Sequence, residues 1–135
     1  MAKASGISWT TFSVDDATNT QQAIVDDITD VKIATPRAVQ DITGMDKAAI
    51  QRLLLLADLT LTMNGVFNGS ANMSHAVFST ISSTSVSRLV TMVVNAKTLA
   101  PTVVLTDYPL TRATGGALTW SVPGSLSSGT APLWS

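Results

Sequence analysis

His75 is the only histidine in the chain, so acid–base chemistry near neutral pH would fall to it first. A serine triad needs a base beside a nucleophile and a third group that orients the base. Ser74 adjoins His75, but helical neighbours at i and i+1 point apart, which favours a packing or surface role for the imidazole. Asp15, Asp16, Asp26, Asp27 and Asp30 are dense enough to suggest a hard-cation site. Their spacing lacks the glycine and distal Glu of a calcium loop, and they read better as a solvated acidic segment. No GxGxxG, Walker loop or paired histidines at metal spacing occur. Gly115-Gly116 precedes no helical pattern and marks a hairpin turn rather than a phosphate cradle. With no cysteine, thiol nucleophiles, disulfides and zinc ribbons are excluded. Asn68-Gly-Ser and Asn72-Met-Ser match the glycosylation sequon, which is idle without a secretory route. An enzyme is not expected, and no catalytic residue, metal or cofactor is assigned.

Composition points elsewhere. The 135 residues suit one domain, and the charged fraction of 13% is about half the usual value. Ser and Thr fill the polar positions, every acid is Asp, and the lack of Glu favours strands over long helices. Eight of the nine Asp fall in residues 1–58, and residues 59–135 hold only Asp107 against Arg88, Lys97 and Arg112. Such an uncharged half implies surface covered by other subunits, or simply a Ser/Thr-rich exterior. Arg88 and Arg112 are expected to pair with Asp58 or Asp107, within the fold or across an interface. A net charge of −1 argues against a basic nucleic-acid surface. The start of the sequence has no secretory h-region and no apolar run reaches membrane length, so cytoplasmic synthesis without membrane insertion is expected.

The elements that would carry these residues centre on Arg52–Phe67. Leu59, Leu61, Met63 and Phe67 alternate with Asp58, Thr60, Thr62 and Asn64, the period of a half-buried strand. Leu53–Leu56 are apolar in both directions, which predicts a strand end covered on two faces. Ile7–Val14 and Arg37–Thr43 read as strands, with Asp46 capping one helical turn. Residues 15–34 read as an arm or loop, in which Ile24, Ile28 and Val31 show helical spacing weakened by Asp26-Asp27. After the turn Asn68-Gly69-Ser70, Asn72 caps a helix Met73–Ile81 whose stripe is Met73, Ala76, Val77 and Ile81. Strands follow over Val86–Asn95, Leu99–Leu110 and Ala117–Val122, the last ended by Pro123-Gly124. Trp120 alternates with Thr119 and Ser121 and reads as core. That weighs against a sugar binder or small β-domain enzyme built on His75, Trp9, Trp120 or Trp134. The expected fold is mainly β, a β-sandwich or partial barrel with one flanking helix, with Trp134 packed onto it.

Several stretches, in order and spacing, resemble the major tail tube proteins of long, flexible-tailed bacteriophages. They include Thr35-Pro-Arg-Ala-Val-Gln-Asp-Ile-Thr-Gly-Met-Asp-Lys, Arg52-Leu-Leu-Leu-Leu-Ala-Asp58, Asn64-Gly-Val-Phe-Asn68 and Ser74-His-Ala-Val-Phe78. Arg88-Leu-Val, Asp107-Tyr-Pro-Leu-Thr-Arg112, Gly116-Ala-Leu-Thr-Trp-Ser-Val-Pro-Gly124 and Gly129-Thr-Ala-Pro-Leu-Trp134 continue the pattern, while residues 1–34 match less well. The resemblance implies a virion protein whose copies form rings, usually hexameric, stacked into a tube. Their inner sheets would join into one continuous barrel around a lumen for viral DNA. Implied partners are other copies, a tape-measure protein and tail completion proteins. An extra C-terminal immunoglobulin-like domain, present in some members, is not expected. DNA that must slide should meet few cations, since neutralised phosphates create affinity. Asp58, Thr60, Thr62, Asn64, Thr119 and Ser121 are therefore candidates to face the lumen. Asp15, Asp16, Asp26, Asp27 and Asp30 would lie on an arm contacting the next ring. Met73, Val77, Ile81 and Trp120 would pack the helix and core. Tube proteins of contractile tails and type VI-like injection systems look similar in fold and form the alternative.

Overall fold

The computed structural model describes residues 9–135; the expected strand residues Ile7 and Ser8 lie outside the described residues. Its strands are β1 (Trp9–Asp15), β2 (Gln21–Ala23), β3 (Ile28–Ala34), β4 (Arg37–Asp41), β5 (Arg52–Ala57), β6 (Thr60–Val66), β7 (Arg88–Val94), β8 (Lys97–Leu99), β9 (Thr102–Leu105), β10 (Leu110–Arg112) and β11 (Leu118–Leu126). One helix, α1 (Ser74–Phe78), joins β6 to β7, and a 3-10 turn spans Val25–Asp27.

Nine strands form one antiparallel sheet in the order β2-β1-β7-β9-β11-β6-β3, with β8 added to β7 and β10 to β11. The stretch from Lys97 to Arg112 is the corner. Its first part pairs with β7, and its later part pairs with β11. The sheet thus folds into two layers, β2-β1-β7-β8 facing β3-β6-β11-β10. Phe12, Val14, Val90 and Met92 from one layer pack with Leu61, Met63, Trp120 and Val122 from the other. The result is mainly β and sandwich-like, and it is not a closed barrel.

Local chemistry explains the details. In β6, Leu61, Met63 and Gly65 are buried while Thr60, Thr62 and Asn64 face outward, the alternation a half-wet strand requires. Pro123 does not end its strand, because β11 continues to Leu126. The Pro123 carbonyl accepts from Thr106 N, so its missing N–H would point to the same side, into the irregular stretch between β9 and β10.

Several expectations are corrected. Residues 15–34 are not an arm: β2, the 3-10 turn and β3 are integral, Ile24 is fully buried, and β3 pairs with β6 along its length. The helix spans five residues rather than Met73–Ile81. An α-helix would give the Val77 carbonyl to Ile81 N, but that carbonyl accepts from Thr80 Oγ1 and Arg88 Nη1, and Ile81 N turns to Phe78 O. Asn72 is not its cap; it sits at φ 62° before Met73. The strand expected across Arg52–Phe67 breaks at Asp58-Leu59, and Leu53–Leu56 are exposed rather than covered on two faces. Among the described residues only their own hairpin partners lie against them, and Leu56 is the most open. The tip expected to hold a helical turn after Asp46 has only turns and bends.

Candidate assembly surface

β4 and β5 form a hairpin standing off the main sheet. It is not an independent insertion. Ala34 faces Thr60 at the end of one ladder and Arg37 faces Ala57 at the start of the next, so one two-stranded ribbon runs from Ile28 to Val66. Pro36 and Asp58-Leu59 interrupt it, bridged by Asp58 N donating to Pro36 O at 3.1 Å. Beyond that joint the ribbon is apolar on both sides. Val39 pairs with Leu54 on one face, and Gln40 with Leu53 on the other. Leu54 is 54% exposed and Leu56 92%, while Val39, Ile42, Met45 and Ile50 extend the patch. The hairpin is nonetheless well tied. Arg37 Nε and Nη2 donate to Leu55 O at 3.0 and 2.7 Å, and Thr43 Oγ1 accepts from Gln51 N at 2.8 Å. An ordered ribbon with leucines on both faces is built to be sandwiched.

The candidate lumen residues mostly share one surface. Register places Asp30, Asn64 and Ser121 in one row and Lys32, Thr62 and Pro123 in the next. Thr60 pairs with Ala34 and Ser125, and Thr119 pairs with Thr111. This outer face of β3-β6-β11-β10 is rich in hydroxyls and amides, and its charges, Asp30 and Lys32, offset one another. Asp58 stands apart at the ribbon joint, where its Oδ1 accepts from Leu59 N at 2.7 Å.

The five aspartates separate by role. Asp15 is buried: Oδ1 accepts from Gln21 Nε2 and Oδ2 from Leu89 N. Asp27 is also buried and accepts from Asn68 Nδ2 at 3.0 Å and Ser74 N at 3.1 Å, anchoring the start of α1. Asp16 closes the turn before β2; Thr18 Oγ1 at 2.7 Å, with help from the Thr20 and Thr18 amides, lowers its pKa to about 2. Asp26 and Asp30 are exposed. Among the described residues no three acidic or imidazole groups gather as a metal site.

Arg88 is the polar residue that sequence reasoning misjudged. It is 1% exposed and pairs with neither Asp58 nor Asp107. It donates instead to Asp15 O at 3.1 Å, Val77 O at 2.8 Å and Thr80 Oγ1 at 2.8 Å. Burial lowers its pKa against the pull of Asp16 and Asp15. It fastens the end of α1 to the sheet, a role no spacing announces. Arg112 is exposed on β10.

His75 Nδ1 lies 3.3 Å from Tyr108 Oη, and its ring packs on Phe67 with centroids 4.7 Å apart. Burial, then Asp27, raises the Tyr108 pKa. The aromatic row continues through Phe78 to Trp120, whose Nε1 donates to Val66 O at 2.9 Å. Met73 and Ile81 are half-buried, Val77 is fully buried, Ala76 is exposed, and Phe78 takes the place in the core that the helical stripe assigned to others. Trp134 packs less than expected. It is half exposed and bridges β8 through its backbone, while Ser135 and Thr98 exchange hydrogen bonds of 2.8 and 2.9 Å. No helix among the described residues is long and apolar enough to cross a membrane.

No protein-family model and no curated protein matches the chain. Solved structures do. A chain from the tail of an empty gene transfer agent particle, refined helically with C6 symmetry, superposes with a TM-score of 0.74 at 13% identity, covering 99% of both chains. A chain from the virion of a native gene transfer agent particle gives 0.75 at 12% identity with the same coverage. At that identity the likeness is one of fold, and it extends over 99% of both chains.

Proposed function

We propose that the chain is a structural subunit of a phage-type tail tube, whose copies form stacked, hexameric rings around a channel for viral DNA. The observation that carries this reading is the β4–β5 hairpin, leucine-rich on both faces and with those leucines exposed among the described residues. The end-to-end likeness to a chain of a six-fold symmetric tail supports it. The hydroxyl-rich face of β3-β6-β11-β10 suits a channel wall, because it offers DNA neither a cationic patch nor a strong field. Passage through such a channel needs no specific binding. Other copies, a tape-measure protein and tail completion proteins are the partners this role requires, and the protein resides in the virion after synthesis in a bacterial cytoplasm.

Electron microscopy of the purified chain at rising concentration tests the reading. Rings or tubes are expected. The double variant Leu54→Asp/Leu56→Asp should keep its melting temperature and circular dichroism, since neither side chain touches the core, yet stay monomeric. Tubes of normal length from that variant would refute the hairpin's role.

A further inference from the structure

The dipeptide Asn-Gly occurs twice in the chain, at Asn64-Gly65 and at Asn68-Gly69. An asparagine amide is open to attack by the backbone nitrogen of a following glycine, because no Cβ shields that nitrogen and the chain turns freely. The two settings differ in backbone rather than in side chain. Both amides donate to a carboxylate, Asn64 Nδ2 to Asp30 at 3.4 Å and Asn68 Nδ2 to Asp27 at 3.0 Å. Gly65 is buried in β6 and paired with Trp120 on one side and Ile28 on the other. Ring closure at Asn64 would swing that peptide out of both ladders. Gly69 lies beyond the end of β6, is exposed, and its N–H has no acceptor among the described residues. Asn68 Oδ1 accepts from Ser70 N at 3.0 Å. That donor polarises Cγ and meets the negative charge that grows on Oδ1 during attack. Asp27 keeps the amide from rotating away.

We infer that Asn68-Gly69 is a self-modification site, where the folded subunit converts its own asparagine to an aspartyl or isoaspartyl residue. Gly69 N adds to Asn68 Cγ and gives its proton to solvent. The Cγ–Nδ2 bond breaks, the nitrogen takes a proton from solvent and leaves as ammonia, and a cyclic imide remains. Water then opens the imide at either carbonyl and restores the Gly69 N–H. One water enters and one ammonia departs, with no other reactant. The inference does not depend on the tube reading. Its consequence falls on α1. The product is anionic and confronts Asp27, which loses the donor at Asn68 and keeps Ser74 N. Asn68 O also accepts from His75 N at 3.2 Å, and in an isoaspartyl product that carbonyl becomes a free carboxylate off the main chain. Both grips on the start of the helix weaken together.

The test holds the intact chain at mildly alkaline pH and follows both positions by peptide mass mapping, with isoaspartyl methyltransferase labelling of the products. In the folded protein position 68 should convert at least about tenfold faster than position 64, the ratio expected when two ladder bonds must open at the slower site. In denaturant the two should converge. Equal rates in the folded chain, or an inert position 68, would overturn the inference. Gly69→Ala separates chemistry from folding, since its Cβ would meet only Phe67 Cε1, at 3.5 Å. That variant should melt with the parent and lose most of the conversion at position 68; conversion at the parent rate would overturn the proposed attack. Asn68→Asp carries the charge of the product. It should melt several degrees below the parent, with faster hydrogen exchange in α1, and parental values for both would refute the loss of grip.

Discussion

Gly65 shows how one atom can be decisive. It faces Trp120 across the β6–β11 ladder, and a Cβ there would collide with the Trp120 ring and the Asp27 carbonyl. The indole occupies the space a side chain would take, with its Nε1 anchored on Val66 O. Gly65→Ala should therefore cost about 3 kcal/mol, the upper end of overpacking, and lower the melting temperature by more than ten degrees, roughly, in a chain of this size. A melting curve within about two degrees of the parent would contradict it. Asp16 acts on the pH axis. Its carboxyl has a folded pKa of about 2 against an ordinary 3.8, held down by the Thr18 hydroxyl and nearby amides. The unfolded chain thus binds a proton that the folded chain refuses. The contribution is complete above the ordinary value and is lost as pH falls from 3.8 toward about 2. Asp16→Asn should lower the melting temperature at neutral pH and converge on the parent as the pH falls toward about 2, so that the acid limb becomes shallower. An unchanged acid limb would show that solvent screens the group. Neither residue was legible in the sequence. Gly65 read as one more glycine in a strand, and Asp16 as one acid among five.

The same is true of elements whose pattern is set by distant partners. β6 could be read because its alternation is local, Leu61 and Met63 inward against Thr62 and Asn64 outward. β3 could not. Its register shifts between Ile28 and Asp30, which leaves Ile28 and Val31 three residues apart on the core side, a spacing that imitates a helix. The helix was over-read at its C-terminal end, because the competition of Arg88 and Thr80 for the Val77 carbonyl is tertiary. At the β7–β8 turn the sequence and the backbone disagree. Asn95 and Ala96 both adopt left-handed backbone, at φ 50° and 64°, in a two-residue loop between the paired Val94 and Lys97. That turn favours glycine in its second place, and alanine there is strained. Ala96→Gly should stabilise the chain by about 1 kcal/mol, raising the melting point by about 3 °C. A loss of stability would mean that the added chain entropy outweighs the relieved strain.

For the whole molecule, Leu53–Leu56 explain where sequence reading stopped. Their apolarity was plain, and two covered faces followed from it, but on the proposed reading the covering surfaces belong to other copies, and one chain's pattern does not name its neighbours. The ribbon that carries these leucines has a mechanical consequence. β4 and β5 continue β3 and β6 in the same register across the joint, from Ala34–Thr60 to Arg37–Ala57, before a one-residue shift ahead of Val39, so tension applied to the hairpin travels along the strand axes into the body. There β6 is held to β11 by a ladder from Thr60–Ser125 to Val66–Thr119, whose bonds run perpendicular to that pull. Loaded in this direction the bonds share the strain together instead of peeling one by one. A tube built as proposed would therefore load each subunit along its stiffest axis when it bends or stretches through its hairpins.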